Sequence, residues 1–290
     1  MQPLLYSELV PWYSLVDPPE DHEDEAVCFQ SAFEHIISPR PQTLLELGAG
    51  AGNTALHLKR RFTCTLTDLS PGMQQLSREQ NPDCEHVLGD MRTLRLGRTF
   101  DAVLVHDAIC YMLTEEDLLA AARTAFEHTR PGGAAIFAPD TLRETFQDTT
   151  ETLEEDRGGR SMRGLMWTWD PHPEDSTYQV DFAFLLRDGD TVQAVHDRHV
   201  EGLFTRDTWD RVLTQAGFRV EPLKRPLGDG AFDDIFLCRR GCAAADRPCF
   251  RAACSGATGP ATSSGRAGTR RSTARRPGVP CRSWAGTSSG

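Results

Sequence analysis

The first 39 residues contain no lysine or arginine; the first basic residue is Arg40. A secretory leader needs a basic start followed by an apolar core, and this absence argues against one. No uninterrupted apolar run reaches the roughly 18 residues needed to cross a bilayer. The nine cysteines include no C-x-x-C pair, which argues against a zinc site. Cys28, Cys64, Cys84, Cys110 and Cys238 are scattered in mostly apolar contexts that suit buried free thiols rather than disulfides. Positive charge is scarce outside the C-terminus. Of 31 basic and 42 acidic residues, ten arginines and one aspartate lie from Arg239 onward, leaving −20 on residues 1–238 and +9 beyond. So acidic a body repels a phosphate backbone or an anionic membrane, which excludes nucleic acid and membrane partners and points to a small-molecule or protein substrate. The expectation is a soluble cytoplasmic protein.

What is present alternates between strand and helix. Residues 1–22 read as a loop with aromatic anchors Tyr6, Trp12 and Tyr13. The acidic run "DPPEDHEDE" reads as a solvated helix N-terminus, where carboxylates meet the positive end of the dipole, rather than as a metal cluster. The helix that follows carries Ala26, Phe29, Phe33, Ile36 and Ile37 on one face and stops before Pro39 and Pro41. "TLLEL", "TCTLTD", "CEHVLGD", "FDAVLVHD" and "AAIFAPD" are five strands. Helices start near Asn53, after a Ser70 cap with Pro71 at the first helical position, and after a "TEED" capping signal. Strands spaced by helices need βαβ crossovers and a mostly parallel sheet.

After Asp140 the pattern changes. Residues 147–161 are polar and Gly-rich and read as a mobile loop. "RGLMWTWD", "TYQVDFAFLLRD" and "TVQAVHDRHVEGLFT" then read as three strands with short, antiparallel connections. A helix ends at Gly217, and "FRVEPL" with "DDIFLCRR" forms a last hairpin. The expected division is an N-terminal aromatic segment and helix (1–42), a core (43–140), a β insertion serving as substrate lid or dimer contact (141–204), a C-terminal helix and hairpin completing the core (205–240), and a basic tail (241–290). The tail has too little apolar surface to offset its ordering entropy and is expected to be disordered.

The chemistry centres on "LLELGAGAGNT". Gly48, Gly50 and Gly52 follow Glu46 where a strand turns into a helix, and the missing Cβ atoms permit a tight turn and close approach of a ligand. A dinucleotide loop is spaced G-x-G-x-x-G; here the spacing is G-x-G-x-G, and Asn53 stands where the third glycine would be. Asp68 ends the second strand, 20 residues after Gly48, where a carboxylate accepts from both ribose hydroxyls, and Leu69 follows it. Asp90 ends the third strand, placed to take adenine amino protons, with Met91 packing on the ring. Together these imply an adenosine ligand without a diphosphate.

"LLELGAGAGNT", "LTDLS", "GDMRTL", "FDAVLVHDAICYM" and "RPGGAAIFAPD" resemble, in order and spacing, the motifs of class I S-adenosylmethionine-dependent methyltransferases across roughly residues 43–140. The resemblance implies an α/β, Rossmann-like seven-stranded, mostly parallel sheet with a reversed last strand, an antiparallel three-strand insertion over the active site, and S-adenosylmethionine as cofactor. It also implies that the glycine loop faces the methionine part and ribose of that cofactor. More loosely, "HDRHVEGLF" and "YSELVPWYSL" resemble methyltransferases that dimethylate the amine of nucleotide-linked deoxysugars.

Methyl transfer from a sulfonium needs in-line alignment and exclusion of water, and a base helps where the acceptor carries a proton. His106 and Asp107 follow the fourth strand; His106 either serves as base near the methionine end or only shapes the loop. Tyr111 lines the pocket or packs. Alternation places Asp197 and His199 on one strand face and His196 and Arg198 on the other, and an Asp–His pair of this kind orients an imidazole. His199 is the expected substrate-facing residue. Tyr13 and Trp12 either close over cofactor and substrate or anchor the N-terminal segment. No metal is expected. A methyltransferase acting on N or O of a small polar molecule is the reading. Its rivals are a nicotinamide dehydrogenase, an aminopropyl-transferring or cyclising enzyme using the same cofactor, and a non-catalytic cofactor-binding regulator. A homodimer through the insertion is also compatible.

Overall fold

Five strands run in parallel: β1 (Thr43–Leu47), β2 (Thr63–Asp68), β3 (Glu85–Leu88), β4 (Phe100–His106) and β5 (Thr129–Ala138). The computed structural model describes residues 3–228 and 231–242. The tail expected to be disordered lies, from residue 243 on, outside the described residues. The C-terminal hairpin, β10 (Arg219–Gly228) and β11 (Ala231–Arg239), completes the sheet, with β11 antiparallel to β5. The order β10-β11-β5-β4-β1-β2-β3 is the mostly parallel seven-stranded sheet with a reversed last strand.

Alternation along the strands divides the core. Ala102 and Leu104 of β4 face α2 (Glu23–Ile36) and α3 (Asn53–Leu58), packing with Phe29, Phe33 and Leu66. Val103 and Val105 face α5 (Glu115–His128) and α6 (Arg206–Ala216), packing with Leu118, Phe137 and Trp209. Ser70 caps α4 (Pro71–Gln80), its Oγ accepting from the Met73 N–H at 3.2 Å. Thr114 caps α5 by accepting from the Asp117 N–H, also at 3.2 Å.

The insertion is antiparallel but has four strands, in the order β6-β7-β8-β9: β6 (Thr149–Arg157), β7 (Arg160–Trp169), β8 (Thr177–Asp188) and β9 (Thr191–Gly202). The stretch expected to be a mobile loop is therefore β6 and the start of β7, joined at Gly158–Gly159. Its signal was obscured because one face of β6 is solvated and only Leu153 is fully buried. The inner face of this sheet, with Phe182, Phe184 and Leu186, covers the N-terminal segment: Leu5, Leu9, Trp12, Tyr13, Leu15 and Val16. That segment is not a plain loop. It is wound into short helical turns at Leu4–Tyr6, Val10–Trp12, Pro19–His22 and α1 (Tyr13–Val16).

Candidate active site

The carboxyl ends of β1, β2, β4 and β5 converge under the N-terminal segment and the four-stranded sheet. Gly48, Gly50 and Gly52 all have positive φ, at 78°, 54° and 76°. A Cβ on Gly48 would lie 2.4 Å from Ala108 Cβ and 2.8 Å from Met91 Cε, so only glycine fits between the β1 and β4 turns. Asn53, at the position of a third dinucleotide glycine, donates from Nδ2 to Asp17 O (3.0 Å) and Oδ2 (2.9 Å). It ties the glycine loop to the N-terminal segment. Tyr13 Oη donates to the same Asp17 Oδ2 at 2.8 Å, which holds the Tyr13 ring beside the loop.

Asp68 accepts from the Gly50 N–H (2.8 Å) and the Ser70 N–H (2.7 Å), so it shapes the loop that it also edges. Burial raises its carboxyl, and these amides oppose the shift. Leu69 beside it is 59% exposed at the sheet edge. Asp90 departs from expectation. The turn after β3 brings Arg92 back onto it, with Nη2 to Oδ2 at 2.6 Å, and this partner lowers its carboxyl. Asp90 is thus engaged by its own turn rather than presented as a free acceptor. Met91 is buried against Gly48. Glu46 is buried, its Oε2 has no hydrogen-bond partner, and burial pushes its carboxyl up to about 8. A glycine cradle, a carboxylate at the β2 edge and this unpartnered buried oxygen suit a cationic nucleoside such as S-adenosylmethionine.

Sequence position suggested that His106 faces the reaction centre. Its side chain instead points to the α2 side of the sheet. Nε2 lies 2.6 Å from Asp107 Oδ1 and 3.5 Å from Glu25 Oε2, with the ring edge-on to Phe29. Burial would lower its pKa, but Asp107 and Glu25 outweigh burial and raise it. Its Nε2 is thus turned to two carboxylates rather than toward an acceptor. His106 joins a buried network in which His22 bridges Asp17 (2.9 Å) and Glu25 (2.8 Å), and Arg225 bridges Glu25 (3.1 Å) and Asp233 (2.6 Å). The acidic run expected to be solvated therefore contributes Asp17 and Glu25 to the interior, because His22 and Arg225 are there to neutralise them.

The lid strand supplies a second cluster. Gly202 ends β9, and a Cβ there would meet Met112 O at 2.2 Å; its absence lets β9 close onto the turn after β4. His199 is fully buried by this approach. Its Nε2 lies 3.1 Å from Asp197 Oδ2 and its Nδ1 2.8 Å from Tyr111 Oη. Asp197 also accepts from the Leu4 and Leu5 N–H groups at 3.0 and 2.8 Å. Burial would raise Asp197, but His199 and these amides lower it. An ionised Asp197 accepts only, so Nε2 carries a proton toward it, and Tyr111 Oη is the partner of Nδ1. Tyr6 completes the wall, its Oη 2.9 Å from that of Tyr111 and its ring 5.5 Å from His199. Trp12 sits in the packing beneath the lid, with Arg160 over its face at 5.0 Å, rather than at a substrate-facing edge. His196 and Arg198 lie on the outer face and both bind Asp181.

Sequence reasoning placed Tyr6 only as an aromatic anchor and missed Asp140, Tyr178 and Glu201. Asp140 follows β5 at the same sheet edge as Asp68 and Asp107. Glu201 continues the alternation of Asp197 and His199. Both signals were readable.

The methyltransferase domain family model matches residues 44–133. The chain is 32% identical over 200 residues to dTDP-3-amino-3,4,6-trideoxy-alpha-D-glucopyranose N,N-dimethyltransferase of Streptomyces venezuelae, covering 67% of this chain and 83% of that protein. It is 30% identical over 205 residues to dTDP-3-amino-3,6-dideoxy-alpha-D-glucopyranose N,N-dimethyltransferase of Streptomyces fradiae, covering 68% and 78%. The crystal structure of Streptomyces venezuelae DesVI superposes with a TM-score of 0.71 at 27% identity, over 81% of this chain and 98% of that one. With the glycine cradle, the sheet order and these likenesses in agreement, the chain belongs to the S-adenosylmethionine-dependent methyltransferases and moves a methyl group from that cofactor to a small molecule.

Proposed function

We propose that the acceptor is the amine nitrogen of a nucleotide-linked amino sugar and that the product is its N-methylated form. The observation that carries this reading is the buried Asp197–His199–Tyr111 chain on the lid strand, closed against the turn after β4. The names of the similar proteins support it. S-adenosylmethionine supplies the electrophilic methyl group. In this reading Glu46, Gly48, Gly50 and Asp68 hold it, Tyr13 closes over it, and Met91 and Leu69 flank it. Asp90 contributes once Arg92 yields, and His106 contributes through the loop it steadies. His199, oriented by Asp197, holds the Tyr111 hydroxyl toward the acceptor, while Tyr6 excludes water. Asp107 positions the turn.

The test is mass spectrometry of dTDP-3-amino-3,6-dideoxy-α-D-glucopyranose incubated with the enzyme and S-adenosylmethionine. The expected gain is about 14 Da per methyl delivered in line to nitrogen. His199→Ala is expected to lower kcat by about 10²-fold, because the Tyr111 hydroxyl loses the partner that orients it. An unmodified sugar with turnover on a hydroxylated acceptor instead would reject the amine reading.

The outer face of the four-stranded sheet presents Leu165, Trp167, Leu185, Val192 and Val200. We propose it as the contact of a homodimer, because isolated apolar side chains are common on surfaces whereas a shared face is not. A monomeric wild type in sedimentation analysis would end that idea. The described cysteines are all free thiols, which suits action in the reducing cytoplasm.

A further inference from the structure

Two carboxyls and a thiol that the cofactor cradle does not use meet between the sheet edge and the lid. Cys110 Sγ lies 3.1 Å from Asp140 Oδ2, and one oxygen of Glu201 lies within 4.8 Å of both. Glu201 is fully buried. Its Oε2 accepts from Tyr178 Oη, and its Oε1 has no hydrogen-bond partner. The groups facing this cluster are Asp107, Tyr111, Tyr178 and His199, whose Nδ1 is 3.9 Å from Glu201 Oε1 and is turned to Tyr111. Among the described residues no lysine or arginine forms an ion pair with Asp140 or Glu201. Burial first, then Asp107 and Glu201, push Asp140 well above the usual carboxylate range; burial raises Glu201 too, although His199, Tyr178 and Tyr111 oppose the shift. With His199 turned to Tyr111, Glu201 Oε1 lacks a hydrogen-bond donor within reach, and an ammonium group carries such donors. Cys110 shares the turn Ala108–Tyr111 with Ala108, whose Cβ leaves no space for a side chain on Gly48, so the turn that carries the thiol also meets the methyl-donor loop.

We propose that Asp140 and Glu201 form the subsite for the protonated amine of the acceptor, and that Glu201 Oε1 takes the proton which frees the nitrogen lone pair. This rests on the amino-sugar reading above. The R–NH₃⁺ group gives one proton to the carboxylate, which becomes a neutral carboxyl. The nitrogen lone pair forms the N–CH₃ bond as the S–CH₃ bond breaks, and that bond's electrons stay on sulfur as a neutral thioether. The methylated nitrogen carries the positive charge. Once Glu201 has passed its proton to solvent, the same pair holds the product cation for a second round.

The test is calorimetric binding of dTDP-3-amino-3,6-dideoxy-α-D-glucopyranose and of its 3-hydroxy isostere to the full chain saturated with S-adenosylhomocysteine. Wild type is expected to favour the amine by about tenfold or more, the scale of a desolvated charge pair. Glu201→Gln and Asp140→Asn are each expected to cut that preference to about twofold or less while keeping S-adenosylhomocysteine affinity. A measurement free of variants is the pH profile. The wild-type preference should fall as acid protonates the pair, while binding of the isostere stays flat. Equal wild-type affinity for both sugars overturns the subsite and leaves the nucleotide-sugar reading standing. Binding of neither sugar overturns that reading and the subsite with it. A preference kept in both variants, or a Zn²⁺ ion bound by wild type and lost in Glu201→Gln without any amine preference, also overturns the subsite.

Discussion

Two buried clusters of acids flank Asp107, and they differ in what neutralises them. On the α2 side, Asp17, Glu25 and Asp233 each meet His22, Arg225 or His106 within ion-pair distance. Burial would raise Glu25, but those cations hold it far below the usual carboxylate range. On the lid side, among the described residues, no lysine or arginine pairs with Asp140 or Glu201, Glu201 meets only His199 within ion-pair distance, at 3.9 Å, and both carboxyls are raised. The same chemical group is thus stabilised as an anion in one place and destabilised in the other, a few ångströms apart. The first arrangement fastens the N-terminal segment to the C-terminal hairpin. The second is poised for charge that the protein does not itself supply.

Removing a cation should separate the clusters most sharply. Arg225→Met leaves Glu25 and Asp233 buried with one partner fewer, and breaking a buried pair in this way costs about 3–5 kcal/mol. Glu201→Gln removes a carboxyl whose burial its neighbours offset only in part, so its stability at pH 7 should stay within about 1 kcal/mol of wild type or exceed it. Urea unfolding at pH 7 reads both. Similar losses in the two variants would erase the distinction.

Glu46 lies near His106, Glu25 and His22 of the α2-side network and gives a smaller, pH-dependent effect. The unfolded chain ionises it near 4.5, whereas the folded chain holds its proton to about 8. Its contribution is complete below pH 4.5 and is lost as pH rises toward 8. Glu46→Gln should therefore gain on wild type across that window by on the order of 2–4 kcal/mol, and be level with it at pH 4.5. A gap independent of pH would mean that Glu46 ionises normally in the fold.

The cradle was legible because glycine spacing and strand-end acids are local in sequence. The sheet was legible because its strands alternate with capped helices. What stayed hidden depends on contacts across the chain. Arg92 reaches back to Asp90 through a turn, and His106 points to the α2 side because strand parity, not motif position, sets its direction. Asp17 and Glu25 look like surface charge until Arg225, 200 residues further on, is brought to Glu25. β6 was read as loop because its exposed face carries most of its residues. The Asp197–His199 pairing was visible as alternation, but its burial depended on Gly202 fitting against Met112.

Asp107 joins the two clusters and provides the finest test of how they are held apart. Its φ of 45° is the one positive value at a described residue other than glycine. It paces the turn by accepting from the Cys110 N–H at 2.8 Å, while its carboxylate pairs with His106. A backbone held in so sparsely populated a region is kept there by its surroundings, here the need to send one carboxylate to the α2 side while Cys110 and Tyr111 go to the lid. Asp107→Gly and Asp107→Ala lose the carboxylate equally and differ only in the backbone. The glycine variant should be more stable than the alanine variant by about 1 kcal/mol, since alanine must keep the strained φ. Both should release His106 toward its ordinary pKa, readable from its imidazole proton resonances, because Asp107 is the largest of the charges raising it. Equal stability of the two variants would show that the turn relaxes once the carboxylate is gone, and that the His106–Asp107 pair, rather than packing, imposes the strain.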